Sequence, residues 1–431
     1  MNILIIGSGG REHALAWAIK KSEKCQNLYL LPGNGGTSLI AKNININSSN
    51  KEEVLEFCSE AKIDLVVIGP EIPLVDGLSD FLRENNISVF GPSKNAAMIE
   101  SDKAYAKLIM QRANVPTARF NEFNRAQYND ALNYSDSIGY PVVVKANGLA
   151  AGKGVSICFS KVEVNSVLEE IFIKDIFGES GNKIIIEEFL EGDETSIFAI
   201  TDGEKFICLP AAQDHKRIGD GDTGKNTGGM GAYAPTSIVT DELMEQIKNQ
   251  IITPVLNEMR NEGNPFSGCL YCGLIFTKTG PKVIEFNCRF GDPETQVVLP
   301  LLDGDFLELL LSSARGKLNE NAVIYNGGSA VTIVAASNGY PDKYDKGFEI
   351  SGLNNFKDED VIIFHAGSAE KNGKIVTNGG RVLNITVLNK NNYLGEAIDK
   401  AYSVINQIKF ENIYYRKDIG QKGLKYLTNQ A

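Results

Sequence analysis

The chain has 431 residues, of which 43% are hydrophobic and 23% are charged, so wholesale disorder and fibrous folds are excluded. Its length predicts about two to four domains, each able to bury its own core. Lys and Arg number 43 against 54 Asp and Glu, and the net charge of −11 argues against a broad surface for nucleic acid or anionic membrane. Any phosphate group must therefore be bound by local features.

Targeting and redox signals are weak. The longest apolar runs are far shorter than the roughly 20 residues of a membrane span. The segment Met1–Gly7 lacks the basic region of a signal peptide and is typical of a strand. The 7 cysteines are scattered, which favours reduced thiols, and the single pair Cys269 and Cys272 is interpreted as strand packing. We predict a cytoplasmic protein without a membrane or nucleic-acid partner.

Short apolar strands alternate with helical patterns over residues 1–100. Each strand ends at a turn that contains glycine or proline. This spacing is typical of a parallel α/β sheet whose ligand loops lie at the carboxyl ends of the strands. The predicted strands are Asn2–Ile6, Leu28–Leu31, Asp64–Ile68 and Ser88–Phe90, and the first is followed by a helix over Arg11–Lys20.

The pattern changes after residue 100. A helix is predicted over Ser101–Arg112, followed by a compact α+β unit. Residues Gln213–Tyr233 show almost no apolar periodicity and predict an irregular loop, a type of long segment that is usually functional. The later predicted elements are strands Cys269–Phe276 and Lys282–Phe290, a helix around Gly304–Ala314, and a strand-rich α+β region over the last hundred residues.

The motif Gly7-Ser-Gly-Gly-Arg-Glu-His13 follows the first strand and opens the first helix. It matches a dinucleotide-binding fingerprint only in part, because Glu12 replaces the last glycine. Backbone N–H groups at such a helix start can bind an anion, and Arg11 can add a bidentate contact. A tight turn in which Glu12 caps the helix is the alternative.

A second glycine-rich segment lies between the predicted strands Val142–Lys145 and Val155–Phe159. It is not a P-loop, because the glycine spacing differs and no Ser or Thr follows the lysine. The pattern indicates a flexible flap whose N–H groups cover triphosphate oxygens, with a lysine as a point charge. A plain hairpin with a surface lysine is the alternative. The residues concerned are Lys145, Gly148, Gly152, Lys153 and Gly154.

Two further strands end in polar residues. The strand from Lys183 becomes acidic toward Glu194, so its backbone can meet an adenine edge and its carboxylate a ribose. In Lys282–Phe290 a period of two places Ile284, Phe286, Cys288 and Phe290 on one face, and Glu285, Asn287 and Arg289 on the other together with Val283. Carboxylate and amide oxygens suit Mg²⁺. A solvated strand face is the alternative.

The three histidines differ in context. His13 and His215 lie in polar, glycine-containing segments, where a core histidine would be out of place, whereas His365 follows a strand and is interpreted as structural. No HExxH, paired CxxC or GxSxG pattern supports a zinc site or a serine nucleophile.

Lys145, the flap, the acidic strand and Glu285-x-Asn287 together resemble the ATP-grasp superfamily, in which two α+β lobes hold ATP between them. Motifs from residue 3 to about 420 further resemble the phosphoribosylamine-glycine ligases, or glycinamide ribonucleotide synthetases. These motifs are Gly7–His13, Pro32–Thr37, Gly69–Glu71, Gly91–Ser93, Gln213–Arg217, Gly221–Gly224, Asn226–Tyr233, Arg289–Gln296, His365–Gly367, Gly379–Val382 and Tyr415–Gly420.

The resemblance implies a multidomain α/β and α+β fold. A parallel α/β substrate domain would span 1–100, and a two-lobed ATP-grasp domain would span 101–326 with a small lid lobe at about 118–190. An α+β domain would span 327–431. The chain would act as a monomer or a weak homo-oligomer.

The implied reaction joins glycine to 5-phosphoribosylamine at the expense of ATP. Glycine's carboxylate would attack the γ-phosphate, and the amine would capture the resulting glycyl phosphate. Glycinamide ribonucleotide, ADP and phosphate would be released in purine biosynthesis. Mg²⁺ or Mn²⁺ would neutralise the polyanion, and the flap would exclude water from the acyl phosphate.

By the same resemblance, Lys103 and Lys145 would contact the ATP phosphates, with Lys107 as the alternative to Lys103. Glu188 and Leu190 would bind adenine through backbone groups. The other implied ATP-binding residues are Gly148, Gly152, Lys153, Gly154, Glu187 and, at the ribose, Glu194.

Glu285 and Asn287 would hold the metal. Arg289 would bind the glycine carboxylate or the transferring phosphoryl group. The implied catalytic residues are Arg289, Lys145, Asp214 and His215. The implied substrate-binding residues are Gly9, Gly10, Arg11, Glu12, His13, Glu71, Asn226, Thr227, Gly228, Gly229, Met230, Gly231, Arg289 and Asp292.

Departures from the family pattern are small. Asn147 stands where Asp is usual in the flap, Lys225 where Pro is usual, and Gly35-Gly36 where Ala-Gly is usual. The alternatives are another ATP-grasp carboxylate–amine ligase, a regulatory protein with an inactive site, and a dehydrogenase. An inactive site would lack Lys145, Glu285, Asn287 or Arg289, and all are present.

Overall fold

The computed structural model describes residues 1–150, 154–356 and 358–428. Gly152 and Lys153 of the predicted flap lie outside the described residues. Within those ranges, no helix has both the length and the apolar character needed to cross a membrane.

The first 101 residues form a parallel sheet with strand order β3-β2-β1-β4-β5, as the spacing predicts. Ile3 to Ile6 of β1 are at most 1% exposed, because both faces of the sheet are packed: Ile3 and Ile5 lie in one hydrophobic core, and Leu4 and Ile6 lie in another. Strand order reverses beside β1, so the loops after β1 and β4 border the crevice where ligands bind in such sheets. The elements are β1 (Asn2–Gly7), α1 (Gly10–Lys20), β2 (Asn27–Pro32), β3 (Lys42–Asn43), α2 (Lys51–Glu60), β4 (Leu65–Ile68), α3 (Glu71–Val75), α4 (Leu78–Glu84), β5 (Val89–Phe90), α5 (Lys94–Ser101) and α6 (Lys103–Arg112).

The predicted helix at Ser101–Arg112 begins two residues later than expected. Asp102 is the N-cap of α6, and its Oδ1 accepts a hydrogen bond from Tyr105 N at 2.9 Å. An N-cap carboxylate satisfies a backbone donor that the helix leaves free. Lys103 therefore occupies the first turn, with Lys107 one turn later on the same helix.

Residues 120–188 form a separate antiparallel sheet with its own hydrophobic core, and we call this unit the lid. Its strand order is β6-β9-β7-β8. On the central strands β7 and β9, one face packs against the helices of the lid through Val142, Val144, Ile184 and Ile186, and the opposite face carries Lys145 and Glu187. The elements are β6 (Phe120–Asn124), α7 (Tyr128–Ile138), β7 (Val142–Ala146), β8 (Val155–Cys158), α8 (Lys161–Leu168) and β9 (Lys183–Glu188).

A second antiparallel sheet of four strands, in the order β11-β10-β16-β17, forms the central body. Cys269 and Cys272 are buried on β16, as strand packing predicts. The elements of this part of the chain are β10 (Asp193–Thr201), β11 (Phe206–Cys208), β12 (Gln213–Asp214), β13 (Arg217–Gly219), β14 (Thr223–Asn226), β15 (Gly231–Ala234), α9 (Asp241–Ile247), α10 (Thr253–Asn261), β16 (Gly268–Thr277), β17 (Gly280–Asn287), α11 (Thr295–Val298), β18 (Leu302–Gly304) and α12 (Phe306–Ala314).

The C-terminal sheet follows the order β12-β15-β20-β24-β21, with β25 paired to β20. Helix α13 packs on this sheet, and its apolar side chains share a core with β20 and β24. The elements are β19 (Val323–Tyr325), β20 (Ser329–Ser337), β21 (Val361–His365), β22 (Ser368–Lys371), β23 (Lys374–Thr377), β24 (Arg381–Asn389), α13 (Leu394–Ile405), β25 (Ile413–Tyr414) and α14 (Gln421–Thr428).

The prediction of an irregular loop over Gln213–Tyr233 is wrong. The segment contains the short strands β12 to β15, and β15 pairs with β20 about a hundred residues later in the chain. All four residues of β15 are buried. Such short strands carry no readable periodicity, and their pairing partner is distant, so the local sequence could not indicate them. This segment ties the central body to the C-terminal sheet.

A β-bulge corrects the face assignment of β17. Gly273 pairs with Glu285 and Leu274 pairs with Val283, so Ile284 is the extra residue. The alternation shifts there, and Val283, predicted to share the polar face, is instead 0% exposed. Phe286 and Cys288 are buried as predicted, whereas Ile284 is only partly buried. Bulges of this kind are frequent beside active sites, where they re-aim side chains.

His13 joins the first sheet to the C-terminal sheet. Its Nδ1 accepts a hydrogen bond from His365 N at 2.9 Å, and its ring lies edge-on to Phe364. Burial, together with the neighbouring His365, lowers the pKa of His13 to about 3. Burial alone lowers the pKa of His365 to about 4. Both imidazoles are therefore neutral at pH 7, and His13 has a structural contact in addition to its predicted role at the substrate.

We expect His13→Gln to reduce the steepness with which the free energy of unfolding falls as the pH is lowered. The folded state resists protonation of His13, so the unfolded state binds more protons as pH falls from about 6.5 toward 3, and stability falls with it. Removing the His13 imidazole should reduce the slope of the free energy of unfolding against pH by about 1.4 kcal/mol per pH unit between these two pH values. Urea unfolding at several pH values measures the slope, and coincident slopes for the two proteins would refute the assignment.

Candidate active site

The lid meets the central body at a buried ion cluster, which we call the lysine–glutamate triad: Lys107, Lys145 and Glu187. Glu187 Oε2 lies 2.9 Å from Lys145 Nζ, and Oε1 lies 3.1 Å from Lys107 Nζ. Burial raises the pKa of Glu187, but the two ammonium groups outweigh it, and the net pKa lies below the usual value. Burial lowers the pKa of Lys107 to about 8. One carboxylate is therefore shared by two lysines, and its single negative charge offsets one of their two positive charges.

The triad reaches the central sheet. Lys145 Nζ donates to the carbonyl oxygen of Ile284, the bulge residue of β17, at 3.2 Å. Lys107 Nζ donates to Thr117 Oγ1 at 2.7 Å, and that hydroxyl donates to Val283 O at 2.7 Å. The lid is thus held against the strand that carries Glu285.

Lys103, predicted as a phosphate contact, holds the start of the flap. Its Nζ donates to Gly148 O at 3.0 Å, and Asn147 Oδ1 accepts from Ala104 N at 2.8 Å. Asn147, the departure from the family's usual Asp, therefore acts as an acceptor. Burial lowers the pKa of Lys103, and the nearby carboxylate of Glu285 opposes that shift.

At the acidic end of β9, the side chains and the backbone groups have different contacts. The Glu188 carboxylate is engaged by Arg119 Nε at 2.8 Å, with Lys282 Nζ 3.7 Å away, and the Glu188 N–H donates to Arg119 O at 2.9 Å. Among the described residues, the backbone of Leu190 forms no hydrogen bond. The adenine contacts through the backbone of Glu188 and Leu190 stay a prediction.

Glu285 and Asn287 lie on β17 beside the triad. In the part of the chain that is described, the Glu285 carboxylate has no hydrogen bond or ion pair. Oriented by its hydrogen-bond network, the Asn287 amide nitrogen donates to Glu100 Oε1 and Phe286 O, both at 3.2 Å, and the amide oxygen turns away. Two hard oxygen donors fit Mg²⁺, which completes its shell with phosphate and water oxygens. No group of three or more metal-ligating side chains occurs among the described residues.

Arg289 is held by two carboxylates. Its Nη2 lies 2.8 Å from Glu100 Oε1, and its Nε lies 3.3 Å from Glu71 Oε2. Burial raises the pKa of Glu71, but the charges of Arg289 and Arg11 outweigh it and lower the net pKa. Glu71 follows β4, so Arg289 connects β17 with the carboxyl edge of the first sheet.

A cluster of carboxylates surrounds Lys216, a residue that the sequence-based assignment omitted. Glu194 Oε2 lies 2.7 Å from Lys216 Nζ. Burial raises the pKa of Asp214 to about 7, and the charges of Glu294, Glu194 and Glu285 add to this while Lys216 opposes it. Glu294 Oε1 accepts from Ser196 Oγ at 2.8 Å and Tyr271 OH at 3.0 Å. Asp214 is thus poised to exchange a proton near neutral pH.

His215 is enclosed. Both ring nitrogens are buried and lack hydrogen-bond partners among the described residues, and burial lowers the pKa of its ring to about 4. Its backbone N–H donates to Gly231 O at 2.9 Å, and its carbonyl accepts from Met230 N at 2.8 Å. The observed contacts of His215 hold the segment before β15 in place.

Residues 226–231, predicted to close the acceptor side, are fastened by Arg381. Its Nη2 lies 3.0 Å from Asp292 Oδ2, its Nη1 donates to Asp292 O at 2.9 Å, and the same nitrogen donates to Gly228 O. Gly229 has φ +106°, and a Cβ there would lie 2.4 Å from Pro293 Cδ. Arg381 belongs to the Gly379–Val382 motif but was assigned no role from sequence.

The first glycine turn confirms the capping alternative for Glu12. Glu12 Oε2 accepts from Gly9 N at 2.6 Å, and Oε1 lies 2.6 Å from Arg11 Nε. A Cβ on Gly69 would lie 2.1 Å from Glu12 Oε1, so a larger residue there would displace the Glu12 carboxylate from its capping position. Arg11 also donates to Phe290 O at 3.1 Å. Arg11 and Glu12 thus form part of the wall of the crevice beside β1.

We expect Glu187→Gln to destabilise the protein by about 3 kcal/mol or more, because two buried ammonium groups lose their counter-charge. Urea unfolding measures the change. The control is Glu320→Gln, which breaks an exposed pair with Lys205 and should cost less than about 1 kcal/mol. Equal losses in the two variants would contradict the role of the triad.

A four-stranded lid facing a second antiparallel sheet, with lysines on one wall and hard oxygen donors on the other, defines an ATP-grasp protein. The phosphoribosylglycinamide synthetase models match in order: the N domain over residues 1–100, the ATP-grasp (A) domain over 101–295 and the C domain over 330–422. The chain belongs to the phosphoribosylglycinamide synthetase family.

Individual relatives and solved structures agree with this family assignment. The chain is 45% identical over 428 residues to phosphoribosylamine–glycine ligase of Leptospira interrogans, covering 98% of this chain and 99% of the relative. The enzyme of the same name from Caldanaerobacter subterraneus is 45% identical over 419 residues, covering 97% and 99%. A crystal structure of phosphoribosylamine–glycine ligase from Thermotoga maritima superposes with a TM-score of 0.85 at 36% identity, covering 97% and 100%. A biotin carboxylase from Campylobacter jejuni, solved as a complex with β-γ-ATP, shares the fold at 15% identity with a TM-score of 0.74, covering 96% and 93%.

Proposed function

We propose that this protein is a phosphoribosylamine–glycine ligase, which joins glycine to 5-phosphoribosylamine with ATP to give glycinamide ribonucleotide, ADP and phosphate. Near-full-length relatives carry that name. The observation that carries the proposal for the site is the contact between Lys145 of the lid and Ile284 O beside Glu285. It brings a phosphate-binding cation and the oxygen donors to one cleft.

In the first step, a carboxylate oxygen of glycine attacks the γ-phosphorus, the bond to the β–γ bridging oxygen breaks, and ADP leaves. Lys103 and Lys145 bind the ATP phosphates, and Arg289 orients the glycine carboxylate or the transferred phosphoryl group. Mg²⁺ bound by Glu285 and Asn287 would offset the charge of the phosphates. The flap excludes water from the glycyl phosphate.

In the second step, the amine of phosphoribosylamine attacks the acyl carbon, the bond from that carbon to the phosphate oxygen breaks, and phosphate leaves. The amine must lose a proton. Asp214, whose pKa is about 7, is the group we propose to accept it. The loops around Gly9–His13, Glu71 and residues 226–231 form the acceptor side, with Asp292 between them.

Other features of the proposal rest on sequence. They are use of Mn²⁺ in place of Mg²⁺, a cytoplasmic location, a monomeric or weakly homo-oligomeric state, and domain boundaries near residues 100 and 326. His215, Gly152 and Lys153 keep their proposed roles on the family resemblance.

The direct test is phosphate release from ATP and Mg²⁺, measured with and without glycine and with phosphoribosylamine generated in the assay. Release that requires both co-substrates is the expected result. Release with a different carboxylate would instead support another ATP-grasp ligase.

Glu285→Ala should lower turnover by about 100-fold or more, since losing a metal ligand costs more than losing a residue that only hydrogen-bonds a ligand. Thermal unfolding should be unchanged, because Glu285 makes no ion pair among the described residues. Glu204→Ala, on an exposed turn, is the control and should retain activity. Full activity of Glu285→Ala would refute the metal assignment.

The proton-accepting role of Asp214 predicts a fall in turnover below about pH 7, because the protonated carboxyl cannot accept a proton. Asp214→Asn should be slow at every pH and should lack that acid limb. A pH–rate profile of the variant with the wild-type limb intact would exclude Asp214 as the base.

A further inference from the structure

Glu100 is a buried carboxylate at the end of α5 to which the family resemblance assigns no role. It is 8% exposed. Its Oε1 lies 2.8 Å from Arg289 Nη2 and 3.2 Å from the Asn287 amide nitrogen. Its Oε2 accepts a hydrogen bond from Cys288 N at 2.8 Å. One side chain therefore contacts three consecutive residues at the end of β17.

The contact with Asn287 determines which amide atom faces the cleft. An ionised carboxylate only accepts hydrogen bonds, so the amide nitrogen must point toward Glu100. The amide oxygen then points away, as a hard ligand for a cation requires. In metal sites, such supporting hydrogen bonds orient the ligating atom and affect the affinity for the metal.

The contact with Arg289 fixes the guanidinium. Nη2 binds Glu100, Nη1 donates to Phe290 O at 3.3 Å, and Nε faces Glu71 at 3.3 Å. The side chain of Glu71 is 28% exposed, whereas that of Glu100 is 6% exposed. Glu100 is thus the enclosed partner that a substrate carboxylate cannot replace, and Glu71 is the accessible one.

We propose that Glu100 is a positioning residue that orients the Asn287 oxygen toward the metal and the Arg289 guanidinium toward the anionic substrate. A single carboxylate thereby couples metal binding to substrate binding. This inference rests on the proposed function, because the roles of Asn287 and Arg289 come from it.

Glu100→Gln tests the inference, because glutamine keeps the size of the side chain but presents an NH₂ donor where a carboxylate oxygen faces other donors. Calorimetric titration with ATP, in EDTA and then in Mg²⁺, gives the gain in ATP affinity that depends on Mg²⁺. We expect that gain to fall by about 10- to 100-fold, with ATP affinity in EDTA unchanged. The KM for glycine should rise, and the KM for ATP in Mg²⁺ should rise in step with the lost gain in affinity.

Glu262→Gln is the matched control. Glu262 also binds an arginine, Arg112, and accepts from Tyr105 at 3.2 Å, but it lies outside the site. This variant should change neither the Mg²⁺-dependent gain nor the KM for glycine. An unaltered gain in Glu100→Gln would overturn the inference, and so would a loss of ATP affinity in EDTA equal to that in Mg²⁺.

Unfolding of the variant and failure of the proposed function can each be recognised separately. If Glu100→Gln unfolds, Glu100→Asp keeps the charge but withdraws it by one methylene, and the same selective loss is expected. Wild-type Mg²⁺ and glycine responses in Glu100→Asp would overturn the inference. Failure of the wild-type protein to release phosphate with glycine and phosphoribosylamine would refute the proposed function itself, independently of either variant.

Discussion

A single buried carboxylate, Glu187, holds the lid against the central body. Two ammonium groups enclosed together would repel each other strongly, and each would pay a large desolvation cost without a counter-charge. Because Glu187 meets both Lys107 and Lys145, the lysines remain in the cleft, and Lys145 reaches Ile284 O on β17. The nucleotide cleft depends on this contact.

On the other wall of the cleft, the cations are likewise paired with carboxylates. Arg289 is balanced by Glu71 and Glu100, and Lys216 by Glu194 within a cluster of carboxylates. Both cations lie just outside strands, Arg289 after β17 and Lys216 between β12 and β13, and their counter-ions come from other elements of the fold. Each pair therefore positions a functional group and joins two parts of the chain. Burial, with the carboxylates around Asp214 adding to it, explains why the pKa of Asp214 rises to about 7.

The predictions succeeded where a local pattern has a direct physical cause. The glycine turn between β1 and α1 and the apolar strands of the lid follow from periodicity and turn chemistry. They failed where a distant strand decides the outcome. The strand β15 is too short to show a period and exists because β20 pairs with it, and the bulge at Ile284 depends on the register with β16.

By itself, the sequence determined the parallel strands of the first sheet, the family motifs and the residue types able to bind phosphate and a hard cation. Those properties depend on neighbours within one strand or turn. Only the tertiary structure decided how these groups are balanced: Glu187 between two lysines, Glu100 behind Asn287 and Arg289, and His13 against His365. Ion pairing and burial act between residues far apart in the chain, so the spacing of residues along the sequence does not indicate which groups will pair.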